Sequence, residues 1–125
     1  MPIYQSPADF PDRVQPAVED ELQDGEKLLA AMPRSGGGFF AKYSKYYLLT
    51  PERFVEFTKA PFGGIKSDSI YLETLSRIEI EASGINVKIG LEGSGFSEGY
   101  KIQDPNRTGD AKEFAEELRQ RVANN

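Results

Sequence analysis

The sequence predicts a mainly β domain: a barrel or orthogonal sandwich of seven antiparallel strands, capped by a C-terminal amphipathic helix and preceded by a short helix. Three observations carry this. Between residues 27 and 103, short apolar or alternating runs recur about every 8 to 12 residues, punctuated by Gly, Pro, Ser and Asp. From residue 109 the apolar period lengthens to that of a helix. The length of 125 residues is that of one domain able to bury a core without crosslinks.

Residues 1–15 hold Pro2, Pro7 and Pro11 and no apolar period. Proline fixes φ and lacks a backbone donor, so this stretch is expected as an extended N-terminal arm, with the domain proper spanning 16–125. Pro16 suits the first turn of a helix, Val18 and Leu22 lie four apart, and Gly25 is a natural stop, giving a helix over 16–23. Strands are expected at 27–32, 39–50, 53–59, 66–72, 77–82, 86–91 and 99–103. Alternation is clearest at Ile78, Ile80 and Ala82, with charges between them, and at Val87, Ile89 and Leu91. Pro51-Glu52, Pro61 to Gly64 and Ser83-Gly84 read as tight turns, and Gly36 to Gly38 and Gly93-Ser94-Gly95 as looser loops. Consecutive strands are therefore expected as antiparallel neighbours in a meander.

The last element is a helix over 109–123, with Ala111, Phe114, Ala115, Leu118 and Val122 on one stripe and Asp110 or Thr108 as its cap. Burying Phe114, Leu118 and Val122 contributes about 1.5–3 kcal/mol each, so the helix must dock on the sheets.

The chain contains no His and no Cys, which removes thiol nucleophiles, disulfides, imidazole bases and most zinc and haem ligation. No phosphate loop, dinucleotide fingerprint or nucleophile elbow occurs. Residues 20–31 place Asp20, Asp24 and Gly25 at calcium-loop positions, but Leu22 and Ala31 stand where two ligands are needed. Glu79 and Glu81 share one strand face, which reads as a solvated face rather than an acid–base pair. No catalytic residue, metal site or cofactor is expected.

The net charge of −5 argues against nucleic-acid binding. Its distribution is uneven: residues 1–26 carry seven acids and one base, 27–66 seven bases and two acids, and 67–125 eleven acids and seven bases. The bases of the middle segment either pair with the acidic N-terminus or raise a local positive field. The opening residues lack a basic stretch followed by an apolar one, so a cytoplasmic location is the expectation.

Helix, seven short strands and a C-terminal helix, in that order, resemble the pleckstrin-homology (PH) fold, and the short bacterial PH-like domains in particular. Leu22 to Ala30, with Gly25-Glu26 before an aliphatic run, resembles the entry from the first helix into the first strand. Tyr47-Leu48-Leu49-Thr50-Pro51-Glu52-Arg53-Phe54 is similar to the family's hairpin, with Pro51 in place of its usual Asn and an aromatic in place of its aliphatic. Ile70 to Glu79 resembles the approach to strand five, and Ala111 to Leu118 the capping helix. The likeness covers about residues 20–123.

The resemblance implies a non-enzymatic interaction module, cytoplasmic or membrane-peripheral, that binds a protein partner or self-associates. Its alternative function is binding of an anionic phospholipid headgroup through a basic rim. The candidate rim residues are Arg34, Lys42, Lys45, Lys59 and Lys66, near the Gly36 to Gly38 and Pro61 to Gly64 loops. Lipid-binding members set a Lys, a second base and an Arg across strands one and two. Lys27, Lys42 and Lys45 match this loosely and the Arg is missing. Phe39, Phe40, Tyr43, Tyr46 and Tyr47 interleave with Lys42 and Lys45, a pattern that fits half-buried strand surface better than base stacking.

Overall fold

The computed structural model describes residues 4–22, 25–33, 44–59, 64–84, 86–103 and 108–123. Helix α1 (Gln15–Glu21) precedes strands β1 (Ala30–Pro33), β2 (Ser44–Leu49), β3 (Arg53–Lys59) and β4 (Ile65–Tyr71). Strands β5 (Leu75–Ser83), β6 (Asn86–Gly93) and β7 (Phe96–Gln103) follow, and helix α2 (Thr108–Ala123) ends the described chain. The strands form two antiparallel sheets in chain order, β1-β2-β3-β4 and β5-β6-β7.

The expected barrel is not closed. Among the described residues no strand of one sheet pairs with a strand of the other, so the meander is interrupted between β4 and β5. There a single 3-10 turn, Leu72–Thr74, carries the chain between sheets, with Leu72 buried and its N–H donated to the Glu52 carbonyl at 2.8 Å. The physical reason lies in the middle of β4, where Lys66, Ser67, Asp68 and Ser69 put polar groups on both faces.

Strands β2 and β3 behave oppositely. Tyr46, Tyr47, Leu48 and Leu49 are all buried, as are Phe54, Val55 and Phe57, because both faces of this sheet are covered. Such two-sided burial shows in the sequence as unbroken apolar runs rather than alternation. On the inner face Ala30, Met32, Tyr47, Leu49 and Phe54 meet Val87, Ile89, Leu91 and Ile102 of the second sheet. Phe114, Ala115 and Leu118 of α2 complete this core, so the stripe read from the sequence docks as expected.

The outer face is covered by the N-terminal segment. Tyr4, Phe10, Val14 and Val18 pack on Ala31, Tyr46, Leu48, Val55 and Phe57. Residues 4–14 are therefore part of the body rather than a simple extended arm. Tyr4 exchanges both backbone hydrogen bonds with Ala31, each 2.8 Å, and Pro7–Asp9 form a 3-10 turn capped by the Ser6 hydroxyl. The aromatic residues among the prolines, not the prolines, decide this: the Tyr4 and Phe10 rings lie 4.8 Å apart, and Phe10 meets Tyr46 edge-on at 5.1 Å.

The Thr50 to Arg53 turn forms as expected, closed by Thr50 N–H to the Arg53 carbonyl at 2.9 Å, with the Thr50 hydroxyl accepting from Arg53 N–H at 3.0 Å. Gly93-Ser94-Gly95 is not a loose loop. Gly93 pairs directly with Phe96, leaving a two-residue hairpin with Gly95 at φ +86°.

Candidate functional site

Among the described residues the most deeply placed charge is Arg53, 3% exposed at the start of β3. Its Nη1 meets Glu21 Oε2 at 2.8 Å, its Nη2 meets Glu26 Oε1 at 2.8 Å, and its Nε donates to Glu26 Oε2 at 2.9 Å. Nη2 also reaches the Glu21 carbonyl at 2.6 Å and Nη1 the Ser69 hydroxyl at 3.0 Å, while Glu26 Oε2 accepts from Thr50 Oγ1 at 2.8 Å. Hydrogen bonding to Glu26, opposed by burial and aided by Glu21, holds the guanidinium above its ordinary pKa. This cluster ties α1 and the following segment to the first sheet, and is a joint rather than a reactive site. It realises at one residue the expected pairing of middle bases with N-terminal acids. The guanidinium's partners, Glu21 and Glu26, are neighbours in sequence of Asp20 and Asp24, the carboxylates that suggested a calcium loop. Among the described residues no group of acidic side chains is arranged to hold a metal ion.

The strand register sorts the inner face of the first sheet into rows. Ala30, Leu49, Phe54 and Ile70 form an apolar row; Met32, Tyr47, Glu56 and Asp68 form the next; Lys45, Thr58 and Lys66 form the third. The face thus runs from core, through an acidic row, to a basic one. Tyr100 of β7 leans onto it, its ring 4.8 Å from Phe54 and 5.8 Å from Tyr47. Burial, then the negative charges of Glu98, Glu56 and Asp68, push the Tyr100 hydroxyl up to about 12. A cleft of about 690 Å³ adjoins this point, lined by Tyr47, Glu56 and Tyr100 and by Glu79, Glu81, Lys88 and Lys101 of the second sheet. Gly90 and Gly99, paired across β6 and β7, line it without putting a side chain into it. Glu79 pairs with Arg77 on an exposed surface, so the two strand carboxylates face water, as read from the sequence.

The strand edges differ sharply. The outer edge of β1 is met by Tyr4. On β7, the Tyr47 hydroxyl donates to the Lys101 carbonyl at 3.0 Å and accepts from its N–H at 3.3 Å. The edge of β4 has no paired strand among the described residues. Because Leu72 bonds to Glu52, and antiparallel residues bond alternately, Lys66, Asp68 and Ile70 direct their backbone groups to β3. Ile65, Ser67 and Ser69 turn theirs outward, and the Tyr71 carbonyl accepts from Thr74 Oγ1 at 2.7 Å. Ile65 and Tyr71, 49% and 42% exposed, flank this edge on the outer face and are the large hydrophobic side chains most open to solvent among the described residues.

The three candidate rim residues that are described do not share one strand face. Lys45 and Lys66 flank Thr58 on the inner face, whereas Lys59, one step from Thr58, belongs to the opposite face. Arg34 and Lys42, the loops at 36–38 and 61–63, and the rings of Phe39, Phe40 and Tyr43 lie outside the described residues. Tyr46 and Tyr47 are core residues on opposite faces. Sequence reasoning missed the Arg53 cluster. Its signal was present: an Arg set directly before Phe54-Val55-Phe57 in a run buried on both faces must bring its own counter-charges.

No helix among the described residues is long and apolar enough to cross a membrane. A scan against protein-family models gives no match, and no curated protein matches either. Among solved structures, the chain is similar to a DUF1696 family protein with a pleckstrin-homology domain from Shewanella loihica PV-4. The TM-score is 0.59 at 14% identity, covering 89% of this chain and 95% of that one. The fold is PH-like, as the sequence suggested.

Proposed function

We propose that this chain is a non-enzymatic PH-like interaction module that takes an extended protein segment, from a second copy or another chain, as an added strand on β4. The observation that carries this is the open edge: outward backbone groups at Ile65, Ser67 and Ser69, between exposed Ile65 and Tyr71. Unpaired strand edges bind extended chains through main-chain hydrogen bonds, and flanking side chains supply selectivity. The poverty of catalytic side chains fits this reading, as does the fold, which generally serves as a binding module. Headgroup binding through the basic rim has less behind it, because Lys59 stands on the other face from Lys45 and Lys66.

Light scattering over a concentration series tests the proposal with the wild type and Ser67→Pro, which deletes one outward donor and leaves the β3 ladder alone. Mass that rises with concentration in the wild type, and less in the variant, supports it. Equal association of both proteins removes β4 from the reading, and a strict monomer throughout removes self-association.

A further inference from the structure

The inner-face rows are self-complementary in charge. Glu56 and Asp68 stand directly opposite each other across β3 and β4, two like charges in one row. Such pairs are unfavourable unless a cation adjoins them. The neighbouring row ends on the same strand with Lys66, beyond Thr58 and Lys45. We infer that β4 pairs antiparallel with β4 of a second copy, about a two-fold axis through Ser67. In that register Lys66 of each copy lies opposite Asp68 of the other, with side chains about 4.5–5.5 Å apart at Cβ. The acidic row of one sheet then runs on into the basic row of its partner, twice.

Both the charges and the backbone select this register. An axis through Lys66 or Asp68 sets like charges against each other, and one through Ser69 sets Asp68 against Ile70. With the axis at Ser67, the paired backbone groups are those of Ser67 with itself and of Ile65 with Ser69, the residues that face outward. Tyr71, whose carbonyl is engaged by Thr74, is not required. The axis also brings Ile65 of each copy over Ser69 of the other. An isologous contact of this kind closes on two copies and leaves no further open β4 edge.

The inference rests on β4 being the docking edge, and its test separates the two. Sedimentation equilibrium is measured for the wild type, Lys66→Asp, Asp68→Lys and an equimolar mixture of the variants. Lys66 and Asp68 are both exposed, so the variants fold. Lys66→Asp sets carboxylates against carboxylates and Asp68→Lys sets ammonium groups against each other, so each is expected to weaken the dimer about tenfold or more. The mixture is expected to regain wild-type association as a mixed dimer. Single variants that dimerise as the wild type does, with no gain on mixing, overturn the register. If Ser67→Pro still weakens that association, β4 remains the edge; if it does not, both statements fall. A wild type that stays monomeric to millimolar concentration overturns the pairing of two copies.

Discussion

Arg53 shows how one side chain can decide where an element sits. Its partners come from α1 and from the segment before β1, and both carboxylates are largely buried, Glu26 at 5% and Glu21 at 13% exposed. Removing the cation strands two anions in a place that water barely reaches. Arg53→Met is therefore expected to lose about 3–5 kcal/mol of stability, measured by urea denaturation. Tyr100 offers a second residue-scale expectation. Its hydroxyl pKa is about 12 in the folded protein against about 10 in an unfolded chain. A raised folded pKa means that its stabilising effect is whole below pH 10 and is lost as pH climbs toward 12. The wild-type denaturation midpoint should fall across that window, and Tyr100→Phe should fall less steeply.

At the scale of elements, α2 seals the inner core through Phe114, Ala115 and Leu118. Leu118→Ala is expected to cost about 2–5 kcal/mol in chemical denaturation, because the sheets on either side cannot collapse into the void. The β6–β7 hairpin carries a sharper requirement. A Cβ at Gly93 would lie 2.4 Å from the Phe96 ring and 2.5 Å from the Thr74 carbonyl oxygen. The ring can turn away and the backbone oxygen cannot. Gly93→Ala is thus expected to lower the melting temperature, whereas Gly99→Ala, with open space around it, should leave it nearly unchanged. These elements also show what the sequence could reveal. The helix period of Ala111 to Val122 and the Thr50 to Arg53 turn are local patterns, and they were legible. The Gly93 hairpin was read as loose because glycine signals freedom equally well in a wide loop and in a tight approach. The docked N-terminal segment was hidden because its anchors, Tyr4, Phe10 and Val14, follow no period and find partners far along the chain.

Across the whole molecule, two sheets share one inner core but part where the first sheet turns polar, from Glu56 and Asp68 to Lys45 and Lys66. Sequence reading singled out Lys45 and Lys66 but grouped them with Lys59, because linear proximity does not tell which side of a strand faces which partner. Register does, since side chains alternate. The outward backbone of β4 was equally invisible, for every residue has the same N–H and C=O, and only the pairing with β3 says which are already used.

The claim that β4 is the working edge is tested most directly by amide hydrogen exchange of the wild type at low and high protein concentration. The Ser67 and Ser69 amides are expected to exchange freely when dilute and to gain protection as the mass rises, while the Lys66 and Asp68 amides, already bonded to β3, change far less. Association that leaves exchange at Ser67 and Ser69 unaltered would contradict it.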